Sequence, residues 1–331
     1  MFTCGQEEIC ETKGNDAPTN ACTLRRVLRR KRGVTLCHMN ERSKAMTELG
    51  WQDGARIRFH GDRGSPVITL HGGPGAYGGA ARLAQGLSSD FRVIEPWQRP
   101  GGGIPLSVAV HVEDLHNLIL SRLSAERPVL VGSSWGAMLA LAYAADHSSS
   151  ISAIALVGCG TFDKASRDMI VQRRRRKIAD YISKHPEHEA DLQLDIGEQM
   201  MKWHGMTDAY DPLPVDDEAV EPGAFDMQGH TETWQDMVRC QDAGIYPQSF
   251  SDITIPVLML HGADDPHPGT MIRDSLKPYI SRLEYHEFSR CGHEPEIEKY
   301  AKEDFFAVLR DWLKSTLSRT DEAQQSHGGD A

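Results

Sequence analysis

One short segment in the middle of the chain constrains the fold more than any other. An apolar run, Val129 to Val131, leads into Gly132-Ser133-Ser134-Trp135-Gly136, and an alanine- and leucine-rich stretch follows. This is the pattern Gly-x-Ser-x-Gly between a predicted strand and a predicted helix, the setting in which it holds a serine at a sharp turn. The amides at the start of that helix would point at any negative charge that forms there. We therefore predict that Ser134 is a nucleophile.

A candidate acid follows a second apolar run. Residues 255–260, Ile-Pro-Val-Leu-Met-Leu, predict a buried parallel strand, and Asp264 and Asp265 lie just beyond it. Because the two acids are adjacent, their side chains point in different directions on a turn, and only one of them can face a common partner. The residues alone leave the choice between the two open.

A candidate base follows the last predicted strand. Residues 283–288 predict that strand, and His293 lies in the loop behind it, directly after a glycine. His261, His267 and His286 are close in sequence, but His293 has the loop position and the preceding glycine. In a catalytic triad the acid fixes the tautomer of the imidazole, and the imidazole takes the serine proton and returns it to the leaving group. The order serine, aspartate, histidine differs from the orders in chymotrypsin and subtilisin.

A glycine-rich loop upstream supplies the third element of a hydrolytic site. Val67-Ile68-Thr69-Leu70 predicts a strand, and His71-Gly72-Gly73-Pro74-Gly75 follows at its carboxyl end. Glycines let backbone N–H groups come close to a substrate and to the oxyanion that develops on it. We expect one oxyanion donor from Gly73 and the other from Trp135, the residue after the nucleophile. Gly72 is then a candidate substrate contact.

The same loop allows a rival interpretation. Residues 73–78 also match Gly-x-Gly-x-x-Gly after a predicted strand, and the next strand ends in Glu95, near the position of a ribose-binding acid. This pattern would predict a dinucleotide-binding oxidoreductase. That hypothesis leaves Ser134, Asp265 and His293 without a function, so it is a distant alternative to hydrolysis.

These motifs resemble a known family. His71–Gly75 and Gly132–Gly136 are similar to the corresponding motifs of α/β-hydrolases, and among them to the proline iminopeptidase branch of serine aminopeptidases. The resemblance implies an α/β fold, with a mostly parallel sheet flanked by helices and an inserted helical cap. It also implies a triad of Ser134, Asp265 and His293, because the acid of the family comes just before a Pro-x-Pro turn, which favours the second of the two aspartates.

Away from these motifs the resemblance is weaker. In that branch the strand after the glycine-rich loop ends in Asp-Gln-Arg-Gly; here Gln98 and Arg99 match and the residues on either side do not. The family also uses cap glutamates beside a tryptophan to hold the free amino terminus of the substrate. The nearest counterpart here is Thr231-Glu232-Thr233-Trp234. The resemblance therefore implies Glu232 and Trp234 as substrate-binding residues.

Strand and helix signals divide the chain into segments. Strands alternate with helices over residues 46–160 and again over 251–318, which predicts the α/β-hydrolase core. Residues 161–250 lose the strand signals and become helical and polar, so we predict that they form the cap. Residues 1–45 carry a basic run and four of the seven cysteines, without the Cys-x-x-Cys spacing of a zinc site. We predict a disordered extension there and a disordered tail over 319–331.

Charge and hydropathy argue against two classes of partner. The formal net charge of −11 argues against nucleic acid, and no apolar run approaches the length of a membrane span. With 40% hydrophobic and 25% charged residues, the composition is ordinary for a soluble enzyme, and we expect a cytoplasmic location. The cap opens with the basic run Arg173–Lys177, which on a helix would wrap around the surface, and then becomes acidic.

Taken together, these patterns predict a serine hydrolase that forms an acyl-enzyme on a small-molecule or short-peptide substrate, with no cofactor and no metal. The leading hypothesis is a proline iminopeptidase-like aminopeptidase, which releases an N-terminal residue. The main alternative is a small-molecule carboxylesterase or lactonase, because one triad and one oxyanion hole serve esters and amides alike. A non-catalytic binding protein would require the loss of a triad member. The oligomeric state stays open.

Overall fold

A single sheet organises the part of the chain that the structure describes. The computed structural model describes residues 56–123, 126–194, 196–214 and 224–327, so the predicted extension over residues 1–45 lies outside it. The strands of the sheet are β1 (Ile57–His60), β2 (Pro66–Leu70), β3 (Arg92–Pro96), β4 (Val129–Ser133), β5 (Ala153–Val157), β6 (Val257–Gly262) and β7 (Leu283–Phe288).

The composition of the strands explains their arrangement. Strands β2, β4, β5 and β6 are buried at every residue and are rich in valine, isoleucine and leucine. Strands buried on both faces are typical of parallel sheets that helices cover on both sides. The strand order is β1-β3-β2-β4-β5-β6-β7, and every neighbouring pair is parallel except β1 and β3. The predicted fold class, a mostly parallel sheet flanked by helices, is confirmed.

Helices pack on both faces of this sheet. In strand β2, Ile68 and Leu70 belong to one apolar core and Val67 belongs to the other, because successive side chains of a strand point to opposite faces. Helices α2 and α3 contribute to the first core, and α1 and α8 to the second. The α-helices of the described residues are α1 (Ala81–Leu87), α2 (Val108–Leu123), α3 (Trp135–His147), α4 (Lys164–Lys184), α5 (Ile196–Asp208), α6 (Met227–Asp242), α7 (Gly269–Leu276) and α8 (Lys302–His327).

Helices α4, α5 and α6 are inserted between strands β5 and β6, in the region for which the sequence predicts a cap. Trp203 of α5 packs against Ile178 and Ile182 of α4 in a small apolar cluster of its own. In contrast, Met237 of α6 is fully buried in the core that contains α2 and α3. The insertion is therefore packed partly on itself and partly on the sheet domain.

The C-terminal helix α8 is longer than the sequence prediction allows. It runs to His327, whereas the sequence predicts a disordered tail from residue 319. The added turns contain Glu322, Ala323, Gln324 and Gln325, which are good helix formers, and this composition supports a continued helix. Neither α8 nor any other helix of the described residues is long and apolar enough to cross a membrane.

One buried carboxylate joins the insertion to the sheet domain. Glu298 is 1% exposed. Its Oε1 accepts hydrogen bonds from the backbone N–H of Tyr210 (2.7 Å) and of Gly292 (3.0 Å), and its Oε2 accepts one from the N–H of Asp211 (2.8 Å). Gly292 directly precedes His293, so Glu298 holds the candidate base loop against the segment that follows α5.

We predict that Glu298→Ala destabilises the protein strongly, because one buried and two partly buried backbone N–H groups lose their acceptor. An unsatisfied buried polar group costs roughly 1–3 kcal/mol, so we expect a loss of about 3 kcal/mol or more in the free energy of unfolding, measured by urea denaturation. The control is Glu113→Ala, at an exposed position of α2, for which we expect a change within about 0.5 kcal/mol. Small and equal changes for the two variants would contradict the bridging role.

Candidate active site

The strand–turn–helix segment forms a strained turn around Ser134. This residue has φ 52° and ψ −112°, a conformation that non-glycine residues rarely adopt, and its N–H donates to the carbonyl of Val157 at 2.8 Å. At both flanking positions only glycine fits, because a Cβ would clash with backbone atoms. A Cβ at Gly132 would lie 2.2 Å from the carbonyl oxygen of Gly136, and a Cβ at Gly136 would lie 2.2 Å from that of Leu70. The Gly-x-Ser-x-Gly spacing therefore follows from direct backbone contacts.

A glutamine bridges this turn and the glycine-rich loop. Gln98 Oε1 accepts a hydrogen bond from the indole N–H of Trp135 (2.7 Å), and its Nε2 donates to the carbonyl of His71 (3.0 Å). The backbone N–H of Gln98 also donates to His71 Nε2 at 3.1 Å. Burial lowers the pKa of His71 to about 4, so the ring is neutral and Nε2 can accept. The sequence singled out Gln98 only as a partial family match; the structure places it as the link between the two loops.

The glycine-rich loop approaches Ser134 closely. A Cβ at Gly72 would lie 3.1 Å from the Cβ of Ser134, and Gly73 and Gly75 both have positive φ, at 70° and 94°. The carbonyl of Gly73 accepts a hydrogen bond from His230 Nδ1 at 2.6 Å. The first turns of α6 therefore fix the backbone of the predicted oxyanion loop, a contact that no pattern in the sequence indicated.

A second contact holds α6 on the same loop. Asp226 caps the helix by accepting from the N–H of Gly229 (2.9 Å), and its other oxygen accepts from the N–H of Gly101 (2.7 Å) and the hydroxyl of Tyr77 (2.8 Å). A Cβ at Gly75 would lie 2.6 Å from the carbonyl oxygen of Asp226, so only glycine fits there.

Asp265 lies at the centre of a group of histidines. Its Oδ2 is 2.8 Å from His293 Nδ1 and 3.0 Å from His261 Nε2. Its Oδ1 accepts from the backbone N–H of His267 at 2.8 Å and lies 2.9 Å from Nδ1 of the same residue. The structure thus brings together Asp265 and His293, while the carbonyl of the neighbouring Asp264 accepts from Lys177 on α4. Two of the histidines set aside in the sequence prove to be partners of the same carboxylate.

Charge is distributed unevenly within this group. Burial alone would raise the pKa of Asp265, but the three imidazoles outweigh it and hold that pKa well below its usual range. Burial alone would lower the pKa of His293, but the Asp265 carboxylate raises it to about 9. For His267 burial prevails and lowers the pKa to about 4. The rings of His267 and His293 stack 4.3 Å apart, so a proton on one opposes a proton on the other.

His293 and Ser134 both lie close to the backbone at the end of strand β5. A Cβ at Gly158 would lie 3.1 Å from Nδ1 and Cε1 of the His293 ring, and Ser134 donates to the carbonyl of the preceding residue, Val157. In the described structure no hydrogen bond joins Ser134 Oγ to the ring. In substrate-free enzymes this bond is often long and tightens only when substrate binds.

The basic run of the insertion also belongs to the site. On α4, Arg173 donates to the carbonyl of Asp265 and Lys177 to that of Asp264, both at 3.0 Å. Arg174 forms a buried, two-pronged ion pair with Asp208. The carbonyl of Asp208 in turn accepts from the N–H of His293 at 2.7 Å.

These contacts change the interpretation of the run. The sequence suggested five basic residues wrapped around a helix. Arg173 and Lys177 instead bind the loop that carries the candidate acid, and Arg174 pairs with Asp208, whose carbonyl accepts from the N–H of the candidate base. The spacing was visible in the sequence, but the backbone carbonyls that accept these hydrogen bonds were not.

Glu232 and Trp234, the predicted contacts to a substrate amine, lie elsewhere on α6. Glu232 Oε2 accepts from the backbone N–H of Leu106 at 2.8 Å, and Oε1 accepts from Gln228 at 2.9 Å. Trp234 is half-buried and packs against the core. The hydrogen bonds of Glu232 in the described residues are thus to the segment before α2 and to its own helix, and its binding of an amine stays a prediction.

The structure also indicates what could hold a ligand other than substrate. One ligand atom from each of Asp265, His267 and His293 lies within 4.8 Å of the others, a grouping suited to a metal ion. Glu95, the acid of the dinucleotide hypothesis, is buried and bonded to Arg58 (2.6 Å) and His60 (2.9 Å) of strand β1. Its carboxylate is therefore already used to hold the antiparallel edge of the sheet.

Known proteins share this fold. The family model for the alpha/beta hydrolase fold matches residues 65–300. A proline iminopeptidase from Lactobacillus helveticus is 25% identical over 305 residues, covering 81% of this chain and 96% of that protein. A 2-hydroxy-6-oxo-2,4-heptadienoate hydrolase from Pseudomonas putida is 26% identical over 268 residues, covering 76% and 89%. The crystal structure of VinJ has a TM-score of 0.57 at 20% identity, covering 79% and 95%, a likeness in fold.

We predict that the imidazole of His293 titrates above its ordinary pKa of 6.5, toward about 9, when followed by NMR of the ring nitrogens. Asp265→Asn should lower this pKa by about 1–3 pH units, because the charge that favours the imidazolium is lost while burial remains. Asp264→Asn is the matched control and should leave the titration almost unchanged. A His293 pKa that responds to Asp264→Asn and not to Asp265→Asn would reassign the acid.

Proposed function

Because the chain belongs to the α/β-hydrolase family, we propose that it is a serine hydrolase that forms an acyl-enzyme on Ser134. The observation that carries this proposal is the buried Asp265–His293 pair, 2.8 Å apart, next to the strained serine turn. The glycine-rich loop lies against the same serine. These are the three parts that acyl transfer requires: a nucleophile, an oriented base and backbone donors for the oxyanion.

We propose the following role for each residue in the reaction. Nδ1 of His293 donates to Asp265, which leaves Nε2 to take the proton of Ser134 as the hydroxyl attacks the acyl carbon. The backbone N–H groups of Gly73 and Trp135 would stabilise the oxyanion of the tetrahedral intermediate. His293 then returns the proton to the leaving group, and water releases the acyl group by the same steps. Only neutral His293 is a base, so turnover should rise as the pH increases through its pKa.

We predict that Ser134→Ala abolishes labelling by a fluorophosphonate probe and lowers kcat by about 10⁶-fold, because the nucleophile is lost. Thermal unfolding should change little, since a small side chain is removed at a partly exposed site. Ser133→Ala, at the adjacent and buried end of strand β4, is the matched control and should keep the label. Labelling that survives in Ser134→Ala and disappears in Ser133→Ala would contradict the assignment.

We propose that the substrate is a short peptide with a free amino terminus. The protein would then act as an aminopeptidase that releases the N-terminal residue. The proposal is supported by the curated relatives named proline iminopeptidase, which align with about four fifths of the chain. It is also supported by the two glycine motifs around Gly73 and Ser134 that resemble that branch. In this function the helical insertion acts as a cap, and one of its acids, with Glu232 as the candidate, would pair with the ammonium group of the substrate.

A specific observation favours a second candidate, the hydrolysis of an ester or lactone that carries no ammonium group. Three acids of the insertion are already engaged. Asp208 pairs with Arg174, Asp226 accepts three hydrogen bonds, and Glu232 accepts from Leu106 and Gln228. A substrate ammonium would have to displace one of these partners. The curated relative from Pseudomonas putida, named as a hydrolase of an oxo-dienoate, is consistent with an acidic substrate.

A panel of substrates separates the two candidates. If the aminopeptidase proposal holds, aminoacyl-naphthylamides with a free amine should be hydrolysed and their N-acetyl forms refused. Glu232→Gln should then raise KM for the free amines by about 10-fold or more, or roughly 1.4 kcal/mol per tenfold, because an ammonium loses its counter-charge. Glu189→Gln, at an exposed position of the insertion, is the control and should have no effect. Turnover of p-nitrophenyl esters alone, unaffected by Glu232→Gln, would select the second candidate.

A further inference from the structure

Three imidazoles, of His261, His267 and His293, lie within 3.0 Å of the Asp265 carboxylate, and only that of His293 has a place in the proposed reaction. The rings of His267 and His293 stack with centroids 4.3 Å apart and planes inclined by 18°. Their Nδ1 atoms lie 2.9 and 2.8 Å from different oxygens of Asp265. His293 is the proposed base, whereas the mechanism does not require the imidazole of His267.

We propose that Asp265, His267 and His293 form a binding site for a divalent cation of the zinc type, and that the bound cation inhibits the hydrolase. Two imidazole nitrogens and one carboxylate oxygen form a donor set that zinc accepts, with a fourth position left for water. Magnesium and calcium prefer sets made of oxygen atoms. The inhibitory effect rests on the proposed function, but the binding itself does not.

The spacing of the donor atoms is compatible with one ion. Zinc bonds of about 2.0–2.1 Å place tetrahedral donor atoms roughly 3.4 Å apart. The three donor atoms of this cluster already lie within 4.8 Å of one another, so modest side-chain movement would bring them to a common ion. The cation would occupy the region now bridged by the two Nδ1–carboxylate hydrogen bonds.

The Asp265 carboxylate is the anionic donor of the cluster. Its two oxygens lie 2.8–3.0 Å from ring nitrogens of His293, His267 and His261. Arg173 and Lys177 lie nearby, but both donate to backbone carbonyls of the acid loop and not to the Asp265 carboxylate. A divalent ion would therefore meet one carboxylate that three imidazoles already face.

Binding through Nδ1 would stop His293 from acting as a base. Without the ion, Nδ1 carries the proton that donates to Asp265, and Nε2 can accept the proton of Ser134. A cation on Nδ1 leaves the one proton of the neutral ring on Nε2, which can then no longer accept. Where His293 starts as an imidazolium, one proton leaves to solvent for each ion bound. In His267 the proton moves from Nδ1 to Nε2.

The decisive variant is His267→Asn. The amide nitrogen of asparagine occupies nearly the place of Nδ1 and still donates to Asp265, but it has no lone pair for a metal. We would measure the rate of fluorophosphonate labelling of Ser134 in the full-length chain as ZnCl₂ is added. Zinc should slow labelling of the unsubstituted protein, and EDTA should restore it. In His267→Asn the half-inhibitory concentration should rise by about 10–100-fold or more.

The matched control is His204→Asn. His204 lies on α5, 3.3 Å from Asp208 and outside the cluster, and is largely exposed. This variant should keep the zinc sensitivity of the unsubstituted protein. Equal zinc sensitivity of His267→Asn and the unsubstituted protein, or no inhibition at all, would overturn the inhibitory site.

Calorimetric titration with ZnCl₂ tests binding without any reaction. One ion should bind the Ser134→Ala protein about 10–100-fold or more tightly than the Ser134→Ala/His267→Asn protein, and taking the difference removes ions held by cysteines or other histidines. A difference of zero would overturn the metal site. Protein that is never labelled, even without zinc, would overturn the proposed hydrolase instead, while the calorimetric difference would still decide the metal site.

Discussion

The direct backbone contact between helix α3 and the end of strand β2 is the constraint on which the site depends. Gly136 meets the carbonyl of Leu70 where any Cβ would lie 2.2 Å away, and Gly132 meets Gly136 just as closely. Because neither position has a side chain, the first turn of α3 lies against the strand that leads into the glycine-rich loop. Ser134 is held between them at a positive φ, and Gln98 hydrogen-bonds to both loops.

The helical insertion holds the site together in addition to lying beside it. Arg173 and Lys177 of α4 bind the backbone of the acid loop. His230 of α6 binds the glycine-rich loop, and Asp226, which caps α6, accepts from the N–H of Gly101. Arg174 and Asp208 form a buried ion pair, and the carbonyl of Asp208 accepts from the N–H of His293 in the base loop. Removing one partner of such a pair is strongly destabilising, because a buried charge is left without compensation. Movements of the insertion would therefore alter the alignment of the proposed triad.

The electrostatic balance around Asp265 links reactivity to ligand binding. Three imidazoles and one amide saturate both oxygens of the carboxylate, so it stays ionised although it is buried. The same carboxylate raises the pKa of His293, while His267 remains neutral. His267 therefore places a neutral imidazole, which the proposed reaction does not use, beside the proposed base. Hydrogen bonds within the protein also bear on the choice between an amine substrate and an ester, because the acids that could recognise an amine already accept such bonds.

The sequence by itself predicted the strands, a mostly parallel sheet and the candidates Ser134 and His293, and the family resemblance added Asp265 over Asp264. These features depend on local patterns, since a buried parallel strand is a short apolar run and a nucleophile turn is a five-residue motif. Only the tertiary structure decided that His267 shares the carboxylate, that Gln98 bridges two loops and that α4 binds the acid loop. It also decided that Glu232 faces the segment before α2. Such contacts join residues far apart in the chain, often through backbone carbonyls, which all residue types carry and no sequence pattern marks.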